Sequence, residues 1–171
     1  MRSSDLSPNE YGAFYQAYID LAGDLDLLKT LRNSGDATLL FLESIPESKY
    51  EYAYAEGKWT IKEIIQHLID TERIFAYRAL RLARQDSTDI PGFDHDSYVP
   101  ASKANERTKK DLLKDYKTLR KSTISLYQGF DPEMLAFIGT ANQYPISARA
   151  LAFIMAGHET HHLKVLSERY L

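Results

Sequence analysis

The sequence predicts an all-α protein folded as a four-helix bundle, and three observations support this prediction. Apolar residues repeat at helical spacing through four long stretches, each bounded by residues that cap helices. One connection between these stretches is long, as a crossover between bundle helices would be. Histidines from two of the stretches point to the inside of the bundle, where such folds build metal and ligand sites.

Length and composition limit the classes of protein to be considered. The 171 residues suit one domain, and we expect residues 1–171 to form it around a single core. No apolar run is long enough to span a membrane, the N-terminus lacks the apolar segment of a secretion signal, and cysteine is absent, so we expect a cytoplasmic protein. A net charge of −3 argues against nucleic acid as a partner.

The N-terminal region predicts one short helix and one longer helix. Ser7, followed by a proline and by Glu10 at the third helical position, is typical of a helix start, and Gly23 is the predicted end of this short helix. A second apolar repeat follows over residues 24–46. Gly35 lies within it and disfavours a helix by about 1 kcal/mol, so we expect a kink or a short break there.

A long helix is predicted to start at Thr60. Thr60 and Glu63 have the spacing of a capping box, and Trp59 faces Ile64 as a hydrophobic staple. The apolar arc of this helix is wide enough to be buried on more than one side, and the helix runs to about Arg84.

The middle of the chain predicts a crossover, a third bundle helix and a turn. Residues 85–104 show no periodicity and read as a crossover or a functional loop, in which His95 is an exposed loop histidine. Thr108 caps the next helix, which Gly129 ends. A turn or small hairpin is expected around residues 139–142.

The last helix, capped by Ser147, carries three of the five histidines. His158 and His162 lie one turn apart on a stripe otherwise occupied by core residues, so both should point inward. Two core histidines bonded to polar neighbours would be one interpretation, but this spacing favours a shared metal ion. Glu159 and His161 flank the stripe, where we expect surface residues or residues that orient the ligands.

His67 is the natural third ligand beside such a pair. Alone it would be an ordinary helix histidine at the edge of an apolar arc, with Thr71, Ile74 and Arg78 on the same face. Three histidines leave a fourth metal position open for water or substrate, as catalytic sites do.

Two other metal motifs fit the sequence less well. His158 to His162 matches H-E-x-x-H, in which Glu159 would be the general base of a protease. The further ligand of such proteases is missing, because the chain has Val165 and Glu168 where one class needs glycine and histidine. A di-iron bundle would need a second E-x-x-H beside Glu159 and His162, which is also missing.

Four short motifs connect the chain to a known family. They are Lys58–Glu63, His67–Arg73, Gly92–Asp94 and Gly157–Leu163. Together they resemble the DinB-like, or YfiT-like, family of small metalloproteins. The resemblance implies a bundle of up-down-down-up topology with a long crossover between bundle helices 2 and 3, and a metal held by His67, His158 and His162. Related members are thiol-dependent transferases or isomerases that use bacillithiol, mycothiol or glutathione.

These observations lead to one functional expectation and two alternatives. We expect a bacterial, metal-dependent, thiol-dependent S-transferase acting on electrophilic small molecules, in which zinc, nickel, iron or manganese holds the thiol as thiolate. The alternatives are a hydrolase that uses the metal to ionise water and a non-catalytic, stress-related metal-binding module. The expected partner is a small-molecule substrate or thiol, with a homodimer as an option. Glu159, Asp70 and His161 are candidates for residues that support the three ligands.

Overall fold

A computed structural model describes residues 1–171 and confirms the four-helix bundle. Four long helices, α2, α3, α5 and α7, form the bundle, and three short helices and one hairpin lie outside it. None of the helices combines the length and the apolar character that a membrane crossing requires. The elements are α1 (Gln16–Leu21), α2 (Leu27–Ser44), α3 (Ile61–Ala83), α4 (His95–Ala101), α5 (Lys109–Gln128), α6 (Pro132–Ala136), β1 (Ile138–Ala141), β2 (Tyr144–Ser147) and α7 (Ala148–Arg169).

Three long-range hydrogen bonds establish the up-down-down-up topology. The start of α5 lies beside the start of α3 and the end of α2, and the end of α7 lies beside the start of α3. Helices α3 and α5 are therefore parallel, and α2 and α7 run in the opposite direction. The bonds run from Arg107 to Gln66 (2.6 Å), from Lys109 to the Ile45 carbonyl (2.7 Å) and from Tyr170 to the Trp59 carbonyl (2.7 Å).

The core of the bundle has two apolar clusters with a polar layer between them. One cluster contains the apolar residues of the second half of α3 and the first half of α7, and the other contains those of the opposite helix ends. Each bundle helix contributes buried polar side chains where the clusters meet. They include Thr38, Glu72, Arg120, His158 and Glu159.

Helix α2 is continuous, so the break predicted at Gly35 is wrong. Arg120 of α5 lies against this glycine, and a Cβ atom at Gly35 would be 2.8 Å from the Arg120 Cγ. Arg120 also donates hydrogen bonds to the Leu31 carbonyl (2.9 Å) and to the Ser34 hydroxyl (3.0 Å). The glycine is therefore explained by the space that a buried arginine needs, and α2 remains helical around it.

The short N-terminal helix is also less regular than predicted. Ser7 and Glu10 form the expected capping box, but they cap only a 3₁₀ turn. The chain then becomes extended at Tyr11, which pairs with Ile146 of β2, so the turn cannot continue as an α-helix. A second 3₁₀ turn leads into α1, and Gly23 follows α1 with a positive φ of 73°.

The crossover contains more structure than its sequence predicts. Asp94 caps α4 within residues 85–104, and Ile90 pairs with Ala141 beside the hairpin. His95 is therefore the first residue of a helix, which corrects its assignment to a loop. The expected hairpin is present as β1 and β2, and its turn residues Asn142 and Gln143 both have positive φ.

The capping residues of three bundle helices are confirmed. The side chains of Thr60, Thr108 and Ser147 each accept a hydrogen bond from the backbone amide three residues later. The capping box of Thr60 and Glu63 is complete. These bonds satisfy amides that have no partner inside the helix, which is why sequence patterns locate helix starts well.

Gly157 allows α1 to pack directly on α7. A Cβ atom at this position would lie 1.6 Å from the Tyr18 carbonyl oxygen, so any side chain would collide with the backbone of α1. The close approach brings the ring of Tyr18 next to the rings of His158 (5.3 Å between centroids) and His161 (5.7 Å). The N-terminal region therefore contributes to the surroundings of the histidines.

Candidate metal centre

Three histidines from two bundle helices converge on one point. The Nε2 atom of His158 lies 3.1 Å from that of His67 and 3.0 Å from that of His162. His67 is on α3, whereas His158 and His162 are one turn apart on α7. No carboxylate or cysteine belongs to the group, so the cluster consists of three ring nitrogens.

The geometry of the cluster fits a divalent metal ion. Three imidazoles bound to one tetrahedral zinc ion at about 2.0–2.1 Å place their nitrogens about 3.3 Å apart, close to the spacing seen here. All ligand atoms of the group lie within 4.8 Å of one another. The structure therefore brings together the three residues that the sequence predicted as ligands.

Burial keeps the three imidazoles neutral, which is the form that binds metal ions. It lowers the pKa of His67 to about 4, and the nearby His95 adds to this effect. Burial and the neighbouring histidines lower the pKa of His162 to about 3, and they lower the pKa of His158 well below its usual value. At neutral pH, the three rings carry no charge, and each Nε2 atom has either a lone pair or a hydrogen atom.

The histidines lie in a pocket of about 520 Å³ that opens to solvent. This volume is in the range of small-molecule sites. No aspartate or glutamate is among the 16 lining residues, so no carboxylate is available in the pocket as a general base. Six aromatic side chains form much of the wall: Phe14, Tyr15, Tyr18, Trp59, Phe75 and Phe93.

His95 and His161 lie on the rim of this cluster. The ring of His95 is 5.6 Å from that of His67 and 6.0 Å from that of Trp59, although its side chain is 54% exposed. The ring of His161 is 5.2 Å from that of His162. All five histidines of the chain are therefore gathered at the pocket, three in its inner part and two beside them.

Glu159 faces away from the pocket and is fully enclosed. It is 3% exposed, and its carboxylate accepts hydrogen bonds from the Tyr116 hydroxyl and from Arg120 (2.6 Å). Arg120 also donates two hydrogen bonds to Glu72, at 2.9 and 2.8 Å. Burial raises the pKa of Glu159, and Arg120 opposes this shift. Glu159 therefore belongs to a buried ion network rather than to the surface, and it makes no hydrogen bond with a histidine.

Asp70 lies outside the pocket. Its carboxylate accepts a hydrogen bond from Gln66 (2.9 Å) and pairs with Arg73 one turn later on the same helix. It makes no hydrogen bond with the three histidines, so this carboxylate has no direct contact through which to orient them.

Trp59 and Arg78 are pocket residues whose position the sequence indicated only indirectly. Trp59 was assigned to a hydrophobic staple, but its ring also lies 4.9 Å from the ring of His67. Arg78 shares a helix face with His67 and Thr71, and all three line the pocket. The sequence feature that indicated a pocket here was a stripe of polar residues on an otherwise apolar face of α3.

The fold and the pocket together define the class of this protein. It is a four-helix bundle whose candidate metal centre consists of three histidines. The particular family follows from comparison of sequences. The chain belongs to the DinB superfamily, because the model of that family matches residues 30–166. Within the matched segment lie all three histidines of the cluster.

Individual relatives agree with this assignment. A protein of Oceanobacillus iheyensis, named as a candidate metal-dependent hydrolase, is 26% identical over 125 residues, which are 71% of this chain and 70% of that protein. YfiT from Bacillus subtilis, described as a candidate metal-dependent hydrolase with an unusual four-helix bundle topology, superimposes with a TM-score of 0.73 at 13% identity, covering 95% of this chain and 90% of that one.

A mycothiol-dependent maleylpyruvate isomerase has the same fold. It superimposes with a TM-score of 0.67 at 12% identity, covering 96% of this chain and 62% of that one. The two solved structures establish the bundle fold, and their named activities differ from each other. The fold alone therefore does not select a reaction.

Proposed function

We propose that the protein binds one divalent metal ion through His67, His158 and His162 and uses it for thiol-dependent transfer to an electrophilic small molecule. The observation that carries this proposal is the convergence of three neutral Nε2 atoms, 3.0 and 3.1 Å apart, in a pocket open to solvent. Zinc, nickel and iron suit imidazole ligands, whereas manganese prefers oxygen ligands. A bound ion would lower the pKa of a thiol or a water molecule in its open position.

The composition of the pocket favours a thiol as the group that is activated. A thiol has a pKa of about 8.5, so a moderate shift makes it a thiolate at neutral pH without help from a general base. The pocket has no carboxylate, and Glu159 is enclosed on the other side of α7. The proton that the thiol releases can pass to solvent, because the pocket is open.

The aromatic wall gives the pocket a second role in the proposed reaction. Rings such as those of Tyr18 and Trp59 exclude water from the inner part of the pocket and provide an apolar surface for the electrophile. An electrophile held there lies next to the three histidines, so the sulfur atom would not have to compete with bulk water for it.

Hydrolysis is the second candidate reaction. The relative from Oceanobacillus iheyensis is named for this activity, and His95 beside His67 could accept a proton from a water molecule. The same three ligands would hold the ion in both reactions. The difference lies in which nucleophile, a thiol or water, attacks the substrate.

Metal analysis combined with two activity assays tests these proposals. Protein purified without chelator, or reloaded with zinc or nickel, should contain one metal ion per chain, and the variant His158→Gln should contain almost none. In the loaded protein, the thiolate of glutathione or bacillithiol should displace chloride from a chloronitrobenzene, forming a carbon–sulfur bond. Hydrolysis of a nitrophenyl ester without thiol would favour the second reaction. The matched control is His95→Gln, which removes a rim histidine and should keep the metal.

The possible results separate the proposals clearly. Absence of a stoichiometric ion in both the purified and the reloaded protein would contradict the metal site itself. One bound ion with neither activity would support a non-catalytic metal-binding module.

A further inference from the structure

Arg78 is a buried cation without a carboxylate partner, and it lines the pocket. The residue is only 3% exposed. One of its nitrogens, Nη2, donates to the Pro91 carbonyl at 2.9 Å, and its Nε has no hydrogen-bond partner. A buried charge that is neither paired nor fully hydrogen-bonded is costly, so its presence in a pocket requires an explanation.

The other deeply buried arginine of the protein shows what a purely structural arrangement looks like. Arg120 is 5% exposed and forms salt bridges with both Glu72 (2.8 Å) and Glu159 (2.6 Å). Arg78 forms no salt bridge. Its polar neighbours are the Tyr15 hydroxyl, which is uncharged and lines the same pocket, and the more distant Asp89. The Asp89 carboxylate accepts a hydrogen bond from the Gln143 amide at 3.3 Å.

Two aromatic rings hold the Arg78 guanidinium at the pocket wall. Its Cζ atom lies 5.6 Å from the centre of the Phe75 ring and 5.8 Å from that of the Phe93 ring. Such contacts stabilise a cation without neutralising it. The pKa of Arg78 is lowered by burial, but an arginine remains charged at neutral pH, so the positive charge persists in the pocket.

We propose that Arg78 binds a carboxylate group of the small molecule that occupies this pocket. A guanidinium matches a carboxylate in shape and charge, and a partly enclosed pocket strengthens the interaction. The inference rests on the proposed function, because the reacting group of the same molecule has to reach the three histidines. The proposed ligand class is an acid whose apolar or aromatic body lies against the pocket rings.

The geometry of α3 gives the approximate size of this ligand. His67 and Arg78 are eleven residues apart on α3, which corresponds to about 16 Å along the helix axis, and Thr71 and Phe75 line the pocket between them. Both side chains line the same pocket. The acidic group and the reacting atom should therefore be separated by several bonds.

Binding of an aromatic acid to the metal-free protein tests the inference independently of the metal. With chelator present, calorimetric titration with 4-phenylbutanoate should give a dissociation constant at least about tenfold lower than titration with the neutral 4-phenylbutanamide. Equal affinities of the wild-type protein for the acid and the amide would overturn the proposal, whatever the variants do.

Three variants locate the acid-binding group. Arg78→Gln should abolish the preference for the acid, and Arg78→Lys should restore part of it. Arg73→Gln is the matched control, because Arg73 lies on the same helix outside the pocket and pairs with Asp115 at 2.6 Å. The control should keep the full preference for the acid. A preference for the acid that survives Arg78→Gln would assign binding to another group and overturn the proposal.

Competition identifies which molecule supplies the carboxylate. Glutathione, an acidic thiol, should displace 4-phenylbutanoate from the metal-free protein if the thiol itself binds Arg78. Lack of displacement, together with tight binding of the acid, would assign Arg78 to the electrophile. Both results support the inference, and loss of metal binding would affect only the proposed function.

Discussion

The two sides of α7 differ in how they use buried polar groups. His158 and Glu159 are neighbours in the sequence, and both are buried in the polar layer of the bundle. Glu159 is enclosed with Arg120, Glu72 and Tyr116, whose charges and hydrogen bonds largely satisfy one another, although Oε2 of Glu159 has no partner. His158 faces a pocket in which the three clustered histidines are uncharged and the buried Arg78 has no carboxylate partner.

Within the polar layer of the bundle, the residues on one side of α7 therefore contribute mainly to stability, and those on the other side are available for binding. Groups that pair with one another inside the protein hold the helices together, and breaking one pair leaves another group buried and uncompensated. Groups that remain without partners at the wall of a pocket have capacity to bind a ligand. Mutations on the two sides should therefore affect different measurements.

The largest effect on stability is expected for Arg120→Met. The substitution leaves Glu72 and Glu159 as buried carboxylates without a cation, and it should lower the free energy of unfolding by about 3–5 kcal/mol. Arg78→Met is the control, because it removes the other buried arginine, which pairs with no carboxylate. Urea denaturation of the metal-free proteins measures both. Equal losses would contradict the proposed division between the two sides.

A smaller effect on stability, without loss of metal, is expected for Glu159→Gln. The change removes a charged partner of Arg120 and Tyr116 and should cost about 1–3 kcal/mol. Metal content should stay at one ion per chain, and thiol-dependent transfer should remain within about 100-fold of wild type. His158→Gln should show the reverse pattern, with the metal lost.

The same pair of variants also tests the protease motif that the sequence contains. Peptide cleavage that required the metal and disappeared in Glu159→Gln would make this carboxylate a general base. The enclosed position of Glu159 predicts that no such cleavage occurs.

The pH dependence of stability should report the pocket side. The pKa values of His67 and His162 are lowered to about 4 and about 3 in the folded protein, whereas an unfolded histidine has a pKa of about 6.5. Between these values the unfolded chain binds more protons, so the metal-free protein should lose stability as the pH falls below about 6.5. Each buried histidine contributes a slope of about 1.4 kcal/mol per pH unit.

Replacing one ligand tests this assignment. The variant His162→Gln should reduce the slope of unfolding free energy against pH by about 1.4 kcal/mol per pH unit in the range from about 6 to about 4.5. Chemical denaturation of the chelated proteins at several pH values measures the slope. An unchanged slope would show that His162 does not stay neutral in the folded protein.

The smallest effect, about 1 kcal/mol, is expected for Thr60→Ala, which touches neither side of α7. The variant loses the hydrogen bond from the Glu63 amide to the Thr60 hydroxyl, at the start of the helix that carries His67. Metal content and acid binding should not change. A loss of metal in this variant would mean that the position of His67 depends on the helix start. Stability and metal binding would then not depend on different residues.

The sequence predicted those features that depend on local patterns. The capping box at Thr60 located the start of α3, because its two hydrogen bonds join residues three positions apart. The spacing of His158 and His162 placed both on one helix face for the same reason. Their meeting with His67 on another helix depended on the bundle and on the resemblance to a family, and the structure brings the three together.

The features that the sequence did not predict depend on contacts between distant residues. Gly35 looked like a helix breaker, yet it accommodates Arg120, which is 85 residues away. The position of Glu159 within an ion network depends on α3 and α5, whose relative rotation no local pattern contains. The position of His95 beside His67 depends on the path of the crossover, which no local pattern contains.

The aromatic residues contributed by the N-terminal region have a consequence for how this protein could diversify. Phe14, Tyr15 and Tyr18 line the pocket but precede residues 30–166, the segment that matches the family model, and none of them belongs to the histidine cluster. The glycine at position 157 lets this region sit against α7 as a separate layer. Substitutions within residues 14–18 can therefore change which molecules enter while the three imidazoles stay unchanged. The N-terminal part of the pocket wall can thus vary on its own, whereas Arg78 and the remaining aromatic wall residues lie in the same segment as the three histidines.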